Sequence, residues 1–134
     1  MHLELGTRER EGIILLDLKG RITAGEEVSM FRDAFQKIAE TQEARLILNL
    51  QHVDYIDSTG LGAMVMCSTL MKRSGGVTKL LHLNRRNLEL LVMTKIVAIF
   101  EVFDDEVDAV NSFFPGREIK RFDILSFVRD LQKD

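Results

Sequence analysis

The chain has 134 residues, 46% of them hydrophobic and 29% charged, with a formal net charge of −3. That length gives one globular domain able to bury its own core, and the acidic balance argues against a nucleic-acid surface, which needs a basic stripe. No apolar run has the length of a membrane span, Met1 to Gly6 lacks a secretory layout, and the single cysteine, Cys67, permits no internal disulfide and fits a reduced, cytoplasmic setting.

Leu3 to Arg10 and Ile13 to Lys19 flank Glu11-Gly12, a tight-turn pair, and so predict a hairpin. The first strand is polar and belongs at a sheet edge, where its charges oppose pairing. The second sets Ile14, Leu16 and Leu18 against Ile13, Leu15 and Asp17 and reads as buried on both faces. Thr23-Ala24-Gly25-Glu26 matches a capping box, after which Val28, Phe31, Phe35 and Ile38 form one helical stripe ending near Glu40. Leu46, Leu48 and Leu50 alternate along Arg45 to Leu50, a strand. A helix from about 58 to 73 follows, stopped by Gly75-Gly76 and succeeded by a strand from Val77 to Leu83, so the two strands are expected to lie parallel.

Asn84 is placed to cap a helix carrying Leu88, Leu91 and Val92, and Ile99 to Phe103 reads as a short strand. Asp104-Asp105-Glu106 then opens a helix with Val107, Val110 and Phe114 inward, ended by Pro115-Gly116. The three acids complement the helix dipole and lack the spaced ligand set of a metal site. After Asp123, the i, i+3, i+4, i+7 spacing of Ile124, Phe127, Val128 and Leu131 gives a last amphipathic helix. Packing back on the domain is its expected role, with a dimer contact as the alternative.

The chain is organised around V-D-Y-I-D-S-T-G-L-G, Val53 to Gly62. Strand, short loop and helix place Ser58 at the carboxyl end of a strand and the positive end of a helix dipole, where functional groups of open α/β sheets gather. Asp57 and Ser58 are both good N-cap residues, so a purely capping Ser58 is the competing reading. The helix that follows carries one apolar stripe of Ala63, Met66, Cys67 and Leu70 and a second of Leu61, Met64 and Val65. A helix apolar nearly all round is either sandwiched in a core or lends one face to a partner.

Other chemistries are poorly supplied. Ser58 with His52 or His82 lacks a G-x-S-x-G elbow, no phosphate-binding glycine motif is present, and the histidines and Cys67 are too scattered for zinc. Arg85-Arg86 reads as a solvated turn. The chain is therefore expected to be no enzyme and to carry no cofactor and no metal.

D-S-T-G-L-G between an apolar strand and an apolar helix resembles the phosphorylation motif of STAS domains, and more narrowly that of bacterial anti-sigma-factor antagonists. Leu18-Lys19-Gly20-Arg21-Ile22 and the segment from Ile96 to Phe114 resemble further parts of that family. The resemblance implies an α/β fold: a STAS-like mixed sheet of four or five strands with helices mainly on one face, over residues 1–114. Residues 115–134 would be a C-terminal extension with its helix. It also implies that Ser58, or less readily Thr59, is phosphorylated by an anti-sigma factor that is itself a serine kinase. The unphosphorylated form would bind the anti-sigma factor and free a sigma factor, phosphorylation would end that contact, and a PP2C-type phosphatase would restore it. Thr23, Asp57, Thr59, Gly60, Leu61, Gly62 and Met64 would form the partner surface, with no nucleic acid, no membrane insertion, and a monomer or weak homodimer. One departure stands out: where the family carries an aspartate in a G-x-L-D pattern, this chain has Gly20-Arg21-Ile22-Thr23. That leaves open a different role, a STAS scaffold or accessory subunit in a stress-signalling complex or on a lipid transporter, without phosphorylation.

Overall fold

The computed structural model describes residues 3–133. Strands β1 (Leu3–Arg10) and β2 (Ile13–Ile22) form the hairpin, turned by Glu11 and Gly12 at positive φ of 53° and 80°, the pair a two-residue type I′ turn demands. There follow α1 (Glu26–Ala39), β3 (Arg45–Ile56), α2 (Ser58–Arg73), β4 (Val77–Leu81), α3 (Arg85–Met93), a 3₁₀ turn (Ile96–Ala98), β5 (Val102–Phe103), α4 (Glu106–Asn111) and α5 (Ile124–Lys133). The sheet runs β1-β2-β3-β4-β5, with β1 antiparallel to β2 and the remaining pairs parallel. Its front face, with Leu16, Leu18, Leu46, Leu48, Leu50 and Leu80, is covered by Phe31 and Phe35 of α1, Met64 and Met71 of α2 and Leu91 of α3. Its back face, with Ile13, Leu15, Ile47 and Leu81, is covered by Ala109 and Val110 of the short α4.

Several expectations differ from the structure, and each difference has a physical cause. β3 extends to Ile56 rather than stopping at Leu50. Against β2 it carries two register shifts, each adding a residue to β3, so its buried positions move from every second residue to Leu50, Val53 and Ile56. A period-2 reading loses the strand there. Thr23 does not cap α1: the N-cap is Gly25 at φ 103°, which makes Glu26 the first helical residue instead of the third. β4 ends at Leu81, with His82 at φ 58°, and β5 is only Val102–Phe103 because Ile96–Ala98 coils and Ile99 is 43% exposed. Val107 faces outward, 46% exposed, since α4 turns Ala109 and Val110 to the sheet and ends at Asn111 before Phe114.

Ion pairs add to the apolar contact between α4 and the hairpin. Glu106 accepts from Arg8 and Arg10 at 2.6 and 2.8 Å, and Arg8 also holds Asp17 at 2.7 Å. Beyond α4 a strap, residues 112–123, crosses from one face to the other: Ile119 packs on the back-face cluster and Phe122 on the front-face core. Asp123 then caps α5, accepting from the Ser126 N–H at 2.9 Å. Helix α5 docks through Phe127, whose ring lies 6.4 Å from that of Phe122 and 5.7 Å from the Arg85 guanidinium. Its apolar stripe of Ile124, Phe127, Val128 and Leu131 is half-buried.

Candidate functional site: the N-terminus of α2

The site forms where β2 and β3 end side by side. Beyond Asn49, β4 no longer runs alongside β3, and the Val53 carbonyl is taken up instead by the side-chain amides of Asn84 and Asn87 at 3.0 and 2.9 Å. These two residues of the α3 cap fix the last, bulged part of β3 and therefore the position of the residues that follow it.

Asp57, not Ser58, caps α2. Its Oδ1 accepts from the Gly60 N–H at 2.7 Å and its Oδ2 from the Ala24 N–H at 2.9 Å, while its own N–H donates to the Ile22 carbonyl at 3.3 Å. The two N–H groups, Ala24's above all, hold the Asp57 carboxyl below the usual carboxylate range. One carboxylate thus ties the β2–α1 loop to the start of α2. Because Asp57 does the capping, Ser58 is released from it: Ser58 is the first residue of α2, exposed, and its hydroxyl makes no hydrogen bond among the described residues. A phosphoryl group there would meet the positive end of a sixteen-residue helix.

The structure brings Thr23, half-buried, and Thr59, exposed, to the same end of the sheet through the Asp57 clamp. It divides the two glycines. A Cβ on Gly60 would lie 2.0 Å from the Ile22 carbonyl oxygen, so Gly60 serves close packing of α2 on β2, whereas a Cβ on Gly62 would meet nothing within 4 Å. Two expected contact residues are misplaced: Leu61 is 5% and Met64 0% exposed, and both side chains belong to the core. Met66, 63% exposed and one turn beyond Gly62, is the apolar side chain that the outer face of α2 presents instead. It borders an 820 Å³ groove between α1 and α2 that Gly25, Val28, Thr59, Val65 and Leu70 also line. The choice of Met66 over Met64 depends on how α2 is rotated against the sheet, and the one usable signal is the buried series Leu61, Met64, Cys67, Ser68 and Met71.

The remaining candidates lie apart from this arrangement. His52 is exposed on β3 and His82 follows β4; among the described residues no hydrogen bond joins either to Ser58, and no group of three or more potential ligands could hold a metal ion. The third histidine, His2, lies outside the described residues. Arg85 and Arg86 are not a loose turn but open α3, Arg85 pairing with Glu89 at 3.1 Å and Arg86 lying 4.8 Å over the Tyr55 ring. Burial raises the Cys67 thiol to about 11, so it behaves as a small apolar side chain. No helix among the described residues is long and apolar enough to cross a membrane.

The sequence profile of the STAS domain matches residues 4–109. The chain belongs to the STAS domain family. Among its curated relatives, the anti-sigma-B factor antagonist of Bacillus subtilis (strain 168) is 30% identical over 102 residues, 76% of this chain and 92% of the relative. The anti-sigma F factor antagonist of Paenibacillus polymyxa is 26% identical over 113 residues, 83% and 95% of the two chains. Solved structures share the fold. An anti-sigma factor antagonist from Mycobacterium paratuberculosis superposes with a TM-score of 0.72 at 15% identity, covering 82% of this chain and 92% of its own. The anti-sigma factor antagonist SpoIIAA in its unphosphorylated form gives 0.69 at 15% identity, covering 86% and 100%. The STAS profile stops within α4, and the residues from there to α5 lie outside the match.

Proposed function

We propose that this STAS protein is an anti-sigma-factor antagonist whose partner is an anti-sigma factor with serine-kinase activity, and that phosphorylation of Ser58 switches it off. The observation that carries this reading is the free Ser58 hydroxyl at the first position of α2, with the capping duty discharged by Asp57. The contact surface runs from Thr23 across Ser58 and Thr59 to Gly62 and Met66. Gly60 and Asp57 shape it from beneath, and Leu61 and Met64 support it from the core. Phosphorylation adds about −1.5 to −2 charges beside Asp57, with three strongly hydrated oxygens. The helix N-terminus offsets part of that charge within the chain, so the fold survives the modification. A partner surface fitted to a small neutral hydroxyl and to Gly62 has no such compensation, and desolvating the dianion there ends the contact. The domain itself performs no catalysis in this scheme. It acts in the cytoplasm, and a PP2C-type phosphatase restores the binding form. Residues 1–114 make up the working domain and 115–134 an appendage.

The test is intact mass after incubation with ATP and the anti-sigma kinase, alongside binding of variants to that kinase. One phosphoryl group is expected on the wild type and none on Ser58→Ala. Ser58→Ala keeps the wild-type affinity, and Ser58→Asp loses at least about tenfold, 1.4 kcal/mol. Equal affinities for the two variants would remove the switch. The second reading, a STAS scaffold that is not phosphorylated, draws on Thr23 standing where the family has aspartate. A stable complex with no added phosphoryl group and no response to Ser58→Asp would establish it.

A further inference from the structure

The two edges of the sheet are treated differently. At one edge β5 is two residues long, and the chain from Ile119 to Phe122 crosses beside it from the back cluster to the front core. At the other edge β1 is eight residues long, pairs with β2 in eight consecutive positions without a bulge, contains no proline, and has no strand on its outer side among the described residues. Residues 6–10 are all exposed. Length, regularity and exposure of this kind make a template for another strand, against which proteins ordinarily set charge.

Here the charge cancels within the strand. Glu4 and Glu9 face Arg8 and Arg10 in number, and the alternation sorts them by face. Leu5 packs toward the front core, so the odd residues share the α1 side; Arg8 and Arg10 reach Glu106, so the even ones share the α4 side. A second copy related by a two-fold axis normal to the sheet keeps each face on its own side, and odd positions then oppose odd. With Thr7 on the axis, Thr7 meets Thr7, Leu5 meets Glu9, Gly6 meets Arg8, and Glu4 meets Arg10 twice over. Arg10 suits that pairing: it uses only Nη1 on Glu106, while Arg8 has already committed Nε, Nη1 and Nη2 to Asp17 and Glu106. Beside the strand lies a groove under α1, floored by Leu5, Ile14, Leu16, Met30, Ala34 and Ile38 and edged by Asp33 and Lys37, one charge of each sign.

We propose that β1 is a homodimerisation edge: two copies pair their β1 strands antiparallel about Thr7, joining two sheets into one, with reciprocal Glu4–Arg10 ion pairs setting the register. The surface is small and polar, so the dimer is a weak, concentration-dependent one. It leaves Ser58 and α2 out of the contact, and its success or failure is independent of phosphorylation.

The experiment is sedimentation equilibrium of the full chain across micromolar to millimolar loading. Wild type is expected to rise from the 15.3 kDa monomer toward twice that mass. Thr7→Lys and Thr7→Glu each place two like charges on the axis and remain monomeric, while their equimolar mixture recovers a dimer because the opposed charges then attract. Glu4→Lys, which sets a cation against Arg10 twice, also stays monomeric; far-UV circular dichroism confirms that each variant is folded. A wild type that stays monomeric throughout, single Thr7 variants that associate as well as wild type, or a mixture that fails to recover would each overturn the proposal.

Discussion

The closest backbone approach at the site gives a sharp test at Gly60. Adding a methyl group there places a Cβ 2.0 Å from the Ile22 carbonyl oxygen, against an ordinary contact that begins near 3.4 Å, so α2 must retreat from the end of β2 by about 1.4 Å. That carbonyl also accepts the Asp57 N–H at 3.3 Å, and the Gly60 N–H is the donor that Asp57 caps at 2.7 Å, so neither bond survives the shift intact. Overpacking costs about 1–3 kcal/mol, the lost cap about 1, and the higher helix propensity of alanine returns about 1, leaving Gly60→Ala roughly 2 kcal/mol less stable. Gly62 supplies the control, since a Cβ there meets nothing within 4 Å. Gly62→Ala gains about 1 kcal/mol of helix propensity with no steric penalty. In urea, with a slope of about 2 kcal/mol per molar, the midpoint should fall by about 1 M for the first and rise by about 0.5 M for the second. A Gly60→Ala midpoint equal to or above wild type would refute the packing argument. Gly62→Ala that is stabilised yet binds the kinase as well as wild type would remove Gly62 from the contact surface.

Two further outcomes follow from the ion pairs and the strap. Hydrogen bonds from Arg8, then from Arg10, lower the Glu106 carboxyl to about 2 from an ordinary 4.5. A depressed folded-state value means the stabilisation is complete above the ordinary value and is lost as pH falls through 4.5 toward 2. Glu106→Gln should therefore be less stable than wild type near pH 7, with the gap closing across that acid window in pH-resolved urea titrations; a gap independent of pH would contradict the assignment. Phe122→Ala, at the point where the strap reaches the front core, should cost about 1.5–2.5 kcal/mol, the half-buried share of a core phenylalanine deletion. It should also speed hydrogen exchange in α5 while leaving β2 and β3 protected, and unchanged exchange in α5 would show that Phe122 does not anchor it.

Much of this architecture was legible because it is local. Glu11-Gly12 marks the hairpin, Asn84 caps α3 through the Asn87 N–H at 2.7 Å, and Val28, Phe31, Phe35 and Ile38 are all buried on α1 as their spacing requires. Elsewhere a contact distant in the chain overrides the local pattern. The second half of β3 vanished from the alternation because the register against β2 inserts residues. The capping box at Thr23 failed because Gly25 takes positive φ while the Ala24 N–H turns to Asp57, thirty-three residues away.

The sequence by itself determined the strand–Ser58–helix order, the apolar content of α2 and the family motif, since these depend on residue type and on neighbours one or two turns away. Which of Asp57 and Ser58 caps α2, which methionine faces outward, and which glycine is closed by Ile22 were decided only by the tertiary structure. Each turns on how a helix is rotated and how closely it approaches a strand, and packing against partners remote in the chain fixes both to within an ångström. The motif named the serine; the fold left its hydroxyl free.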